Sequence, residues 1–193
     1  MSLQSRLIEY RDGDTVLEGR IAFDDSIEGP RPGVLVSHAW GGRSDFEDGK
    51  ADDLARLGYA AMALDLYGQG VRGSGPEENA ALMQPFLDDR GMLQQRLLVS
   101  LATLREQDVV DAGQVAAIGF CFGGLCVLDI ARTGEDLAGV VSFHGLFGAP
   151  GNTAGNRVRA KVLALHGWND PMAPPDAVDG LASELTSMGA DWQ

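Results

Sequence analysis

The sequence predicts a three-layer α/β fold with a mostly parallel sheet, and three observations lead to this prediction. From residue 33 onward, short continuous apolar runs alternate with segments of helical periodicity, as expected for parallel strands that are buried on both faces. Glycine is frequent, with 26 among 193 residues, so many tight turns are expected. The length suits one domain with a sizeable core, and we expect residues 1–193 to form a single domain.

The elements can be assigned in chain order. The first 25 residues alternate between polar and apolar around Asp12-Gly13, which predicts an antiparallel hairpin with arms at 7–10 and 16–23. Apolar runs predict further strands at 33–38, 59–65, 115–119, 139–143 and 161–166. Helical periodicity predicts helices at 46–57, 76–106 (as one helix or two), 122–132 and 175–188. The glycine- and asparagine-rich stretch 145–159 is expected to be a long surface loop and a candidate wall of a site.

The charge of the chain excludes several functions. The sequence has 28 acidic and 15 basic residues, a formal net charge of −13, which repels nucleic acid and anionic membrane surfaces. Apolar runs stay well below the roughly 18 residues of a membrane-spanning helix, and the opening residues do not resemble a secretion signal. We therefore expect a soluble cytoplasmic protein.

The strongest motif is a strand that runs directly into a helix through a turn at Cys121. Residues 119–124 spell G-x-C-x-G-G, the spacing of a nucleophile elbow with cysteine in place of serine. The turn strains the backbone of the nucleophile, and Gly119 and Gly123 stand where a Cβ would collide. The following helix N-terminus favours a thiolate, so we interpret Cys121 as a nucleophile. The alternative is an inert buried thiol, which is the role we expect for Cys126.

A second motif places a carboxylate beyond the predicted strand 161–166. Asp170 lies in the turn Gly167-Trp-Asn-Asp170-Pro171, and an acid after the nucleophile strand fits the chain order nucleophile, acid, histidine. Asp170 is therefore a candidate to orient a catalytic imidazole. The alternative is that Asp170 only stabilises its own turn, because Asx-Pro turns are common.

The loop at 37–42, Ser-His-Ala-Trp-Gly-Gly, follows the first central strand and can present backbone N–H groups. We predict that the amide of Ala39 or Trp40 joins the amide of Phe122 in an oxyanion hole. An ordinary strand-to-helix turn is the alternative.

A competing motif spells G-x-G-x-x-G at 68–73, the fingerprint of a dinucleotide-binding loop. Its context disagrees with that function, because Ser74-Gly75-Pro76 separates it from the next helix and no acidic residue ends a following strand at the proper distance. We therefore do not expect a nucleotide site. The three histidines are far apart in sequence, and we expect no metal site.

These motifs together resemble the dienelactone hydrolase (carboxymethylenebutenolidase) family of α/β-hydrolases over roughly residues 30–193. The resemblance rests on the cysteine elbow, on His166-Gly-Trp-Asn-Asp170-Pro and on the segment Gly58-Tyr59 to Tyr67. It implies an α/β-hydrolase fold and a Cys-His-Asp catalytic triad with Cys121 as nucleophile and Asp170 as acid. It further implies that the Ala39 and Phe122 amides are the oxyanion donors, and that the protein is an esterase or lactonase without a cofactor.

The chain departs from the family pattern at two positions. Family members carry a glutamate on the loop of residues 38–39 that takes part in activating the thiol, whereas Ala39 stands there in this chain. The triad histidine should follow Asp170, but His38, His144 and His166 all precede it. Each of the three is a candidate substitute base, yet a missing C-terminal strand, histidine loop and helix is the simpler explanation, because residues 190–193 look like the start of another strand.

The sequence thus predicts a hydrolase that cleaves small esters or lactones through Cys121, impaired as a 193-residue chain. The alternative is a non-catalytic binding or regulatory domain that kept the pocket without the histidine, and a redox-thiol protein is a more remote possibility because the C-x4-C spacing suits a disulfide poorly. An anionic lactone would need a local arginine, for which Arg43, Arg72 and Arg90 are the candidates.

Overall fold

A seven-stranded sheet forms the centre of the molecule in a computed structural model that describes residues 2–193. Its strands run in the spatial order β1-β2-β4-β3-β5-β6-β7, with β1 and β2 antiparallel at one edge and β3 to β7 parallel to one another. The strands are β1 (Leu3–Asp12), β2 (Thr15–Asp24), β3 (Arg31–Ser37), β4 (Ala60–Ala63), β5 (Val110–Phe120), β6 (Gly139–Phe143) and β7 (Lys161–Leu165).

Five helices connect and cover these strands. They are α1 (Asp45–Arg56), α2 (Pro76–Asp88), α3 (Arg90–Arg105), α4 (Phe122–Arg132) and α5 (Pro175–Ser187). The predicted helical region 76–106 is therefore two helices, because Asp89 leaves the helical conformation and its side chain accepts a hydrogen bond from the Met92 amide at 2.9 Å. Among residues 2–193 we find no helix that is both long and apolar enough to cross a membrane.

The predicted three-layer α/β fold is confirmed, and α4 and β6 have the predicted bounds. The hairpin strands are longer than predicted, since β1 and β2 pair along ten residues each. Strand β5 begins five residues earlier than predicted, because Asp111, Gly113 and Gln114 interrupt its apolar pattern while Arg31 and Pro32 still pair with its start.

The helices cover the two faces of the sheet unequally. Helices α3 and α4 pack with β5 and β6 on one face, where the main core contains Leu97, Leu101, Phe122 and Val140. Helix α1 packs on the opposite face against β2, β3 and β4 over a smaller core of mostly alanines. Apolar side chains of β5 to β7 on that second face remain partly or largely exposed: Ile118, Val141, Leu163 and Leu165.

The last residues of the chain extend the sheet beyond β7. Trp192 forms a parallel bridge with Val162, and the Ala164 amide donates to the Gln193 carbonyl at 2.8 Å. The strand character predicted for 190–193 is therefore present in the structure.

Candidate active site

Cys121 sits on a strained turn between β5 and α4. Its backbone angles, φ 58° and ψ −116°, are a conformation that residues with a Cβ seldom adopt. Cys121 is also the N-cap residue of α4. Its amide donates to the Phe143 carbonyl at 3.0 Å, which ties the turn to the end of β6. A Cβ at Gly119 would overlap the Gly123 carbonyl, and a Cβ at Gly123 would overlap the Ser37 carbonyl. Both positions therefore need glycine, as predicted, because neighbouring backbone carbonyls occupy the space that a Cβ would fill.

The Cys121 thiol is half-buried, and its surroundings raise its pKa above the ordinary value. Burial is the largest cause, and the nearby Asp170 carboxylate adds to it, while the amides of Phe122 and Trp40 act to lower the pKa. The helix N-terminus was expected to favour the thiolate, but the cost of burial outweighs the two amides and the pKa of Cys121 lies above its ordinary value. Deprotonation of Cys121 needs a base.

The loop after β3 presents one amide to the sulfur, and this amide belongs to Trp40. The backbone amides of Trp40 and Phe122 both act to lower the pKa of the Cys121 thiol, which places them beside the sulfur. The Ala39 amide instead donates to Glu47 Oε1 at 3.3 Å. Glu47 is buried on α1, where it also completes the capping box with Ser44. The sequence analysis named two amides of this loop as possible oxyanion donors. The amide of Ala39 is hydrogen-bonded to Glu47, and the amide of Trp40 lies beside the thiol.

Asp170 has two roles in the structure. Its Oδ1 accepts a hydrogen bond from the Met172 amide at 2.9 Å, so Asp170 stabilises its own turn. This is the alternative role that the sequence analysis gave for Asp170. It also lines the same cleft as Cys121 and acts electrostatically on that thiol. The nucleophile and acid candidates, 49 positions apart in the sequence, therefore meet at the carboxyl edge of the sheet.

The cleft around Cys121 has a volume of about 310 Å³ and mostly apolar walls. Its lining consists of Trp40, Met83, Cys121, His144, Leu146, Asp170 and Met172. Leu146 belongs to the glycine-rich stretch that was predicted to form a site wall. Sequence reasoning missed Met83 and Met172, because a methionine on a helix or in a turn gives no signal of the cleft that it faces.

The three histidines have different environments. His38 is fully buried, and its Nε2 accepts from the Leu66 amide at 3.2 Å while Nδ1 donates to the Ala39 carbonyl at 2.6 Å. Burial lowers the pKa of His38, so it is a neutral structural residue. His166 pairs through Nε2 with the Ala173 carbonyl at 2.8 Å and packs on Phe147.

His144 follows β6 directly and is exposed in the cleft with a φ of 40°. Within residues 2–193, its ring forms no hydrogen bond to the Cys121 thiol or the Asp170 carboxylate. The chain therefore brings thiol and carboxylate together without an imidazole bonded to both.

The remaining candidates lie away from the cleft. The glycine motif at 68–73 is an irregular loop beside a second cavity of about 270 Å³, whose walls include the carboxylates of Glu18 and Asp65. The guanidinium groups of Arg43 and Arg72 line the same cavity. Cys126 is fully buried in α4 with a free thiol, and burial raises its pKa. In the described chain, no cluster of three or more His, Cys, Asp or Glu is arranged to hold a metal ion.

A mostly parallel sheet of this strand order, with a cysteine elbow after β5 and an acid beyond β7, defines an α/β-hydrolase. The chain belongs to the dienelactone hydrolase family, because the model of that family matches residues 17–193.

Individual relatives agree with this assignment. The crystal structure of a dienelactone hydrolase-like promiscuous phosphotriesterase from metagenomic libraries is 36% identical with a TM-score of 0.93, covering 100% of this chain and 80% of that one. An uncharacterized Caenorhabditis elegans protein is 33% identical over 110 residues, which are 54% of this chain and 68% of that protein. A Bradyrhizobium protein named "Probable 2-oxo-3-(5-oxofuran-2-ylidene)propanoate lactonase" is 29% identical over 156 residues, 76% of this chain and 59% of that protein.

Proposed function

We propose that this hydrolase cleaves small carboxylic esters or lactones with Cys121 as the nucleophile. The observation that carries the proposal is the position of the Cys121 thiol, on a left-handed strand-to-helix turn, open to an apolar cleft and within reach of two backbone amides. An inert core cysteine would not need a strained turn with a glycine on each side. The Asp170 carboxylate in the same cleft supports the assignment, as the acid that orients a base.

The reaction follows from this arrangement. The Cys121 thiolate attacks the substrate carbonyl carbon, and the electron pair of the C=O bond moves to oxygen, forming a tetrahedral oxyanion. The Trp40 and Phe122 amides donate hydrogen bonds to that oxygen. The oxyanion collapses, the C–O bond to the alcohol breaks, and the alkoxide takes a proton from solvent, which balances the proton that the thiol released to solvent. Water then attacks the thioester and releases the acid and the free thiol.

We propose that turnover by the 193-residue chain is slow, because both the thiol and the attacking water must lose a proton. Burial raises the pKa of Cys121, and His38 and His166 are engaged in structural hydrogen bonds. An activated ester such as a 4-nitrophenyl ester needs no proton for its leaving group, so it should acylate Cys121 even where deacylation is slow.

The names of the relatives suggest two kinds of substrate. The Bradyrhizobium protein is named for a lactone that carries a carboxylate, and the metagenomic protein for phosphotriesters, which carry no charge. We propose that esters and lactones are the substrates of this chain, because its cleft volume of about 310 Å³ is at the small end of the range of volumes found for ligand-binding sites.

The test is the release of 4-nitrophenolate from 4-nitrophenyl acetate by the purified chain. We expect a burst of about one equivalent, followed by a slow steady rate, and an acetyl group on Cys121 by mass spectrometry. Cys121→Ala should lose the burst, whereas Cys126→Ala, whose thiol is buried in α4, should keep it. A His144→Gln variant should keep both phases, and loss of the burst would instead make His144 the base.

A non-catalytic binding domain is the alternative function, favoured by the observation that no imidazole within residues 2–193 is bonded to both the thiol and Asp170. It predicts no burst and no acetylated Cys121 in the unaltered chain, so the same experiment decides between the two.

A further inference from the structure

The loop of residues 38–42 is held by hydrogen bonds on both sides of the Trp40 amide. The Ala39 carbonyl accepts from His38 Nδ1 at 2.6 Å and from the Gly42 amide at 3.2 Å. The Trp40 carbonyl accepts from the Tyr67 hydroxyl at 2.8 Å. The two peptide units that flank the Cα atom of Trp40 are therefore both fixed in orientation.

The Ala39 carbonyl and the Trp40 N–H belong to one peptide unit. Peptide bonds within residues 2–193 are trans, and in a trans peptide the carbonyl and the N–H point in opposite directions. Because this carbonyl points at the His38 ring, the N–H points away from that ring, and it acts on the Cys121 thiol. In the described part of the chain it donates to no backbone carbonyl. The hydrogen bond at one end of the peptide thus sets the direction of the amide that faces the nucleophile.

The donor role of His38 Nδ1 is fixed by the other nitrogen of the ring. The Leu66 amide donates to Nε2 at 3.2 Å, so Nε2 is the acceptor. In a neutral imidazole the hydrogen is then on Nδ1, which donates to the Ala39 carbonyl. The ring is fully buried, and burial lowers the pKa of His38 and keeps it neutral. The segment after β4 therefore selects the tautomer of His38 that can hold the Ala39 carbonyl.

Aromatic side chains pack around the His38 ring. The Tyr67 ring meets it edge to face with the centroids 4.8 Å apart, and the Phe122 ring lies at 6.4 Å. Burial also raises the pKa of Tyr67, so its hydroxyl keeps the proton that it donates to the Trp40 carbonyl. In such a buried setting a hydrogen bond is electrostatically stronger than in water. The imidazole and the phenol are thus packed against Phe122, the residue that supplies the second amide at the thiol.

We infer that His38 is a positioning residue of the reaction, whose Nδ1–H orients the Ala39–Trp40 peptide so that the Trp40 N–H meets the oxyanion. Tyr67 supports this orientation from the next peptide. The inference rests on the proposed function, because an oxyanion forms only when Cys121 attacks a carbonyl. The described lining of the cleft does not include His38, so it acts through the Trp40 amide and not on the substrate.

Two reactions of one thiol separate this role from general structural damage. Acylation of Cys121 by 4-nitrophenyl acetate passes through an oxyanion. Alkylation by iodoacetamide does not, because the thiolate sulfur bonds to the CH2 carbon as the C–I bond breaks and iodide leaves. Both reactions use the same thiolate, so its fraction cancels in the ratio of the two rate constants at one pH. The burst of 4-nitrophenolate gives the acylation rate, and mass spectrometry gives the alkylation rate, with Cys121→Ala as the blank.

His38→Leu removes the Nδ1–H and should lower the ratio of acylation to alkylation by at least about tenfold, because the Trp40 amide is then poorly aimed at the oxyanion. His38→Asn should restore the ratio to within about threefold, since the Asn side-chain N–H can occupy the place of Nδ1–H. Tyr67→Phe loses one hydrogen bond and keeps the ring, and it should lower the ratio about threefold.

His166→Leu is the matched control. His166 Nε2 pairs with the Ala173 carbonyl at 2.8 Å, so this variant also loses a histidine hydrogen bond to a backbone carbonyl, but outside residues 38–42. Its ratio should equal that of the unaltered chain. Urea denaturation of each variant checks that it is folded under the conditions of the rate measurements.

The outcomes separate the inference from the proposed function. An unchanged ratio in folded His38→Leu, or an equal fall in His166→Leu, would overturn the role of His38 and leave Cys121 as the nucleophile. If His38→Leu does not fold, an unchanged ratio in Tyr67→Phe or a tenfold fall in His38→Asn would overturn it. Absence of acetylated Cys121 in the unaltered chain would overturn the proposed function and the inference together.

Discussion

At the scale of single residues, the chemistry of Cys121 depends on two opposing influences. The strained turn exposes the thiol to the cleft and to the Trp40 and Phe122 amides, which favour the thiolate. Burial and the Asp170 carboxylate favour the neutral thiol, and they prevail. Reactivity therefore needs either higher pH or a base, which distinguishes this site from a cysteine activated by the helix N-terminus alone.

The raised pKa predicts the pH dependence of Cys121. Alkylation by iodoacetamide should continue to increase with pH beyond about 8.5, where an ordinary cysteine is already half ionised. The stability that this thiol contributes through its raised pKa is fully present below the ordinary thiol pKa and is lost as pH rises through the folded-state value. The measurement is the alkylation rate against pH, with the urea-unfolded chain as control, and a profile matching that of the unfolded chain would contradict the prediction.

The elbow glycines predict a stability effect at one residue. Gly123→Ala would place a Cβ against the Ser37 carbonyl and 2.8 Å from the His38 carbonyl, so we expect it to lower the free energy of unfolding by roughly 1–3 kcal/mol. Gly180→Ala is the matched control, because Gly180 is in α5 with open space around it. There alanine should raise that free energy by about 0.5–1 kcal/mol. Urea denaturation measures both, and similar effects would argue against the close approach at Gly123.

At the scale of elements, a buried ionic network joins α3, α4, α5 and the loop after β6. Arg132 on α4 is fully buried, and it binds Asp129 and Glu184 while donating to the Phe147 carbonyl at 3.0 Å. Phe147 neighbours Leu146, which lines the cleft. The network therefore holds the loop that forms one wall of the site.

Removal of Arg132 tests this network. Arg132→Met leaves Glu184 and the Phe147 carbonyl without their donor, and we expect a loss of about 3–5 kcal/mol in the free energy of unfolding. Arg105→Met is the control, because the pair of Arg105 with Glu135 is partly exposed and should contribute at most about 1 kcal/mol. Equal losses in urea denaturation would show that the buried network does not stabilise this end of the sheet.

At the scale of the whole molecule, an acidic surface coexists with an apolar sheet face that the helices within residues 2–193 leave uncovered. Ile118, Val141 and Leu163 are partly exposed there, and Phe120 and Phe143 stack with their ring centroids 4.7 Å apart beside them. Charge repulsion opposes association through such a face at neutral pH, and this repulsion disappears near the sequence pI of about 4.4.

This predicts self-association near pH 4.4 that involves the open face. Light scattering should increase as the pH approaches that value, and Leu165→Lys, at a residue 45% exposed on β7, should reduce the increase. Leu57→Lys changes the net charge equally but lies at the end of α1, and it should have the smaller effect. Equal effects of the two variants would assign the association to net charge alone.

Prediction from sequence succeeded where the signal is local. The cysteine elbow needs only the spacing of Gly119, Cys121 and Gly123 after an apolar run, and helix α4 and strand β6 have the bounds that periodicity predicts. Strand β5 was predicted too short because its pairing with β3 starts at Val110 and Asp111 and resumes at Val115 after a register shift, and the residues between them carry no hydrophobic pattern.

The sequence by itself determined the order of strands and helices, the strained cysteine turn, the acid beyond β7 and the excess of negative charge. The tertiary structure alone decided that Trp40 rather than Ala39 faces the sulfur, that Arg43 and Arg90 are held in ion pairs away from the cleft, and that burial raises the pKa of the thiol. The reason is physical: spacing along the chain specifies backbone conformation, whereas pKa, amide occupancy and the lining of a cleft depend on which distant residues pack together.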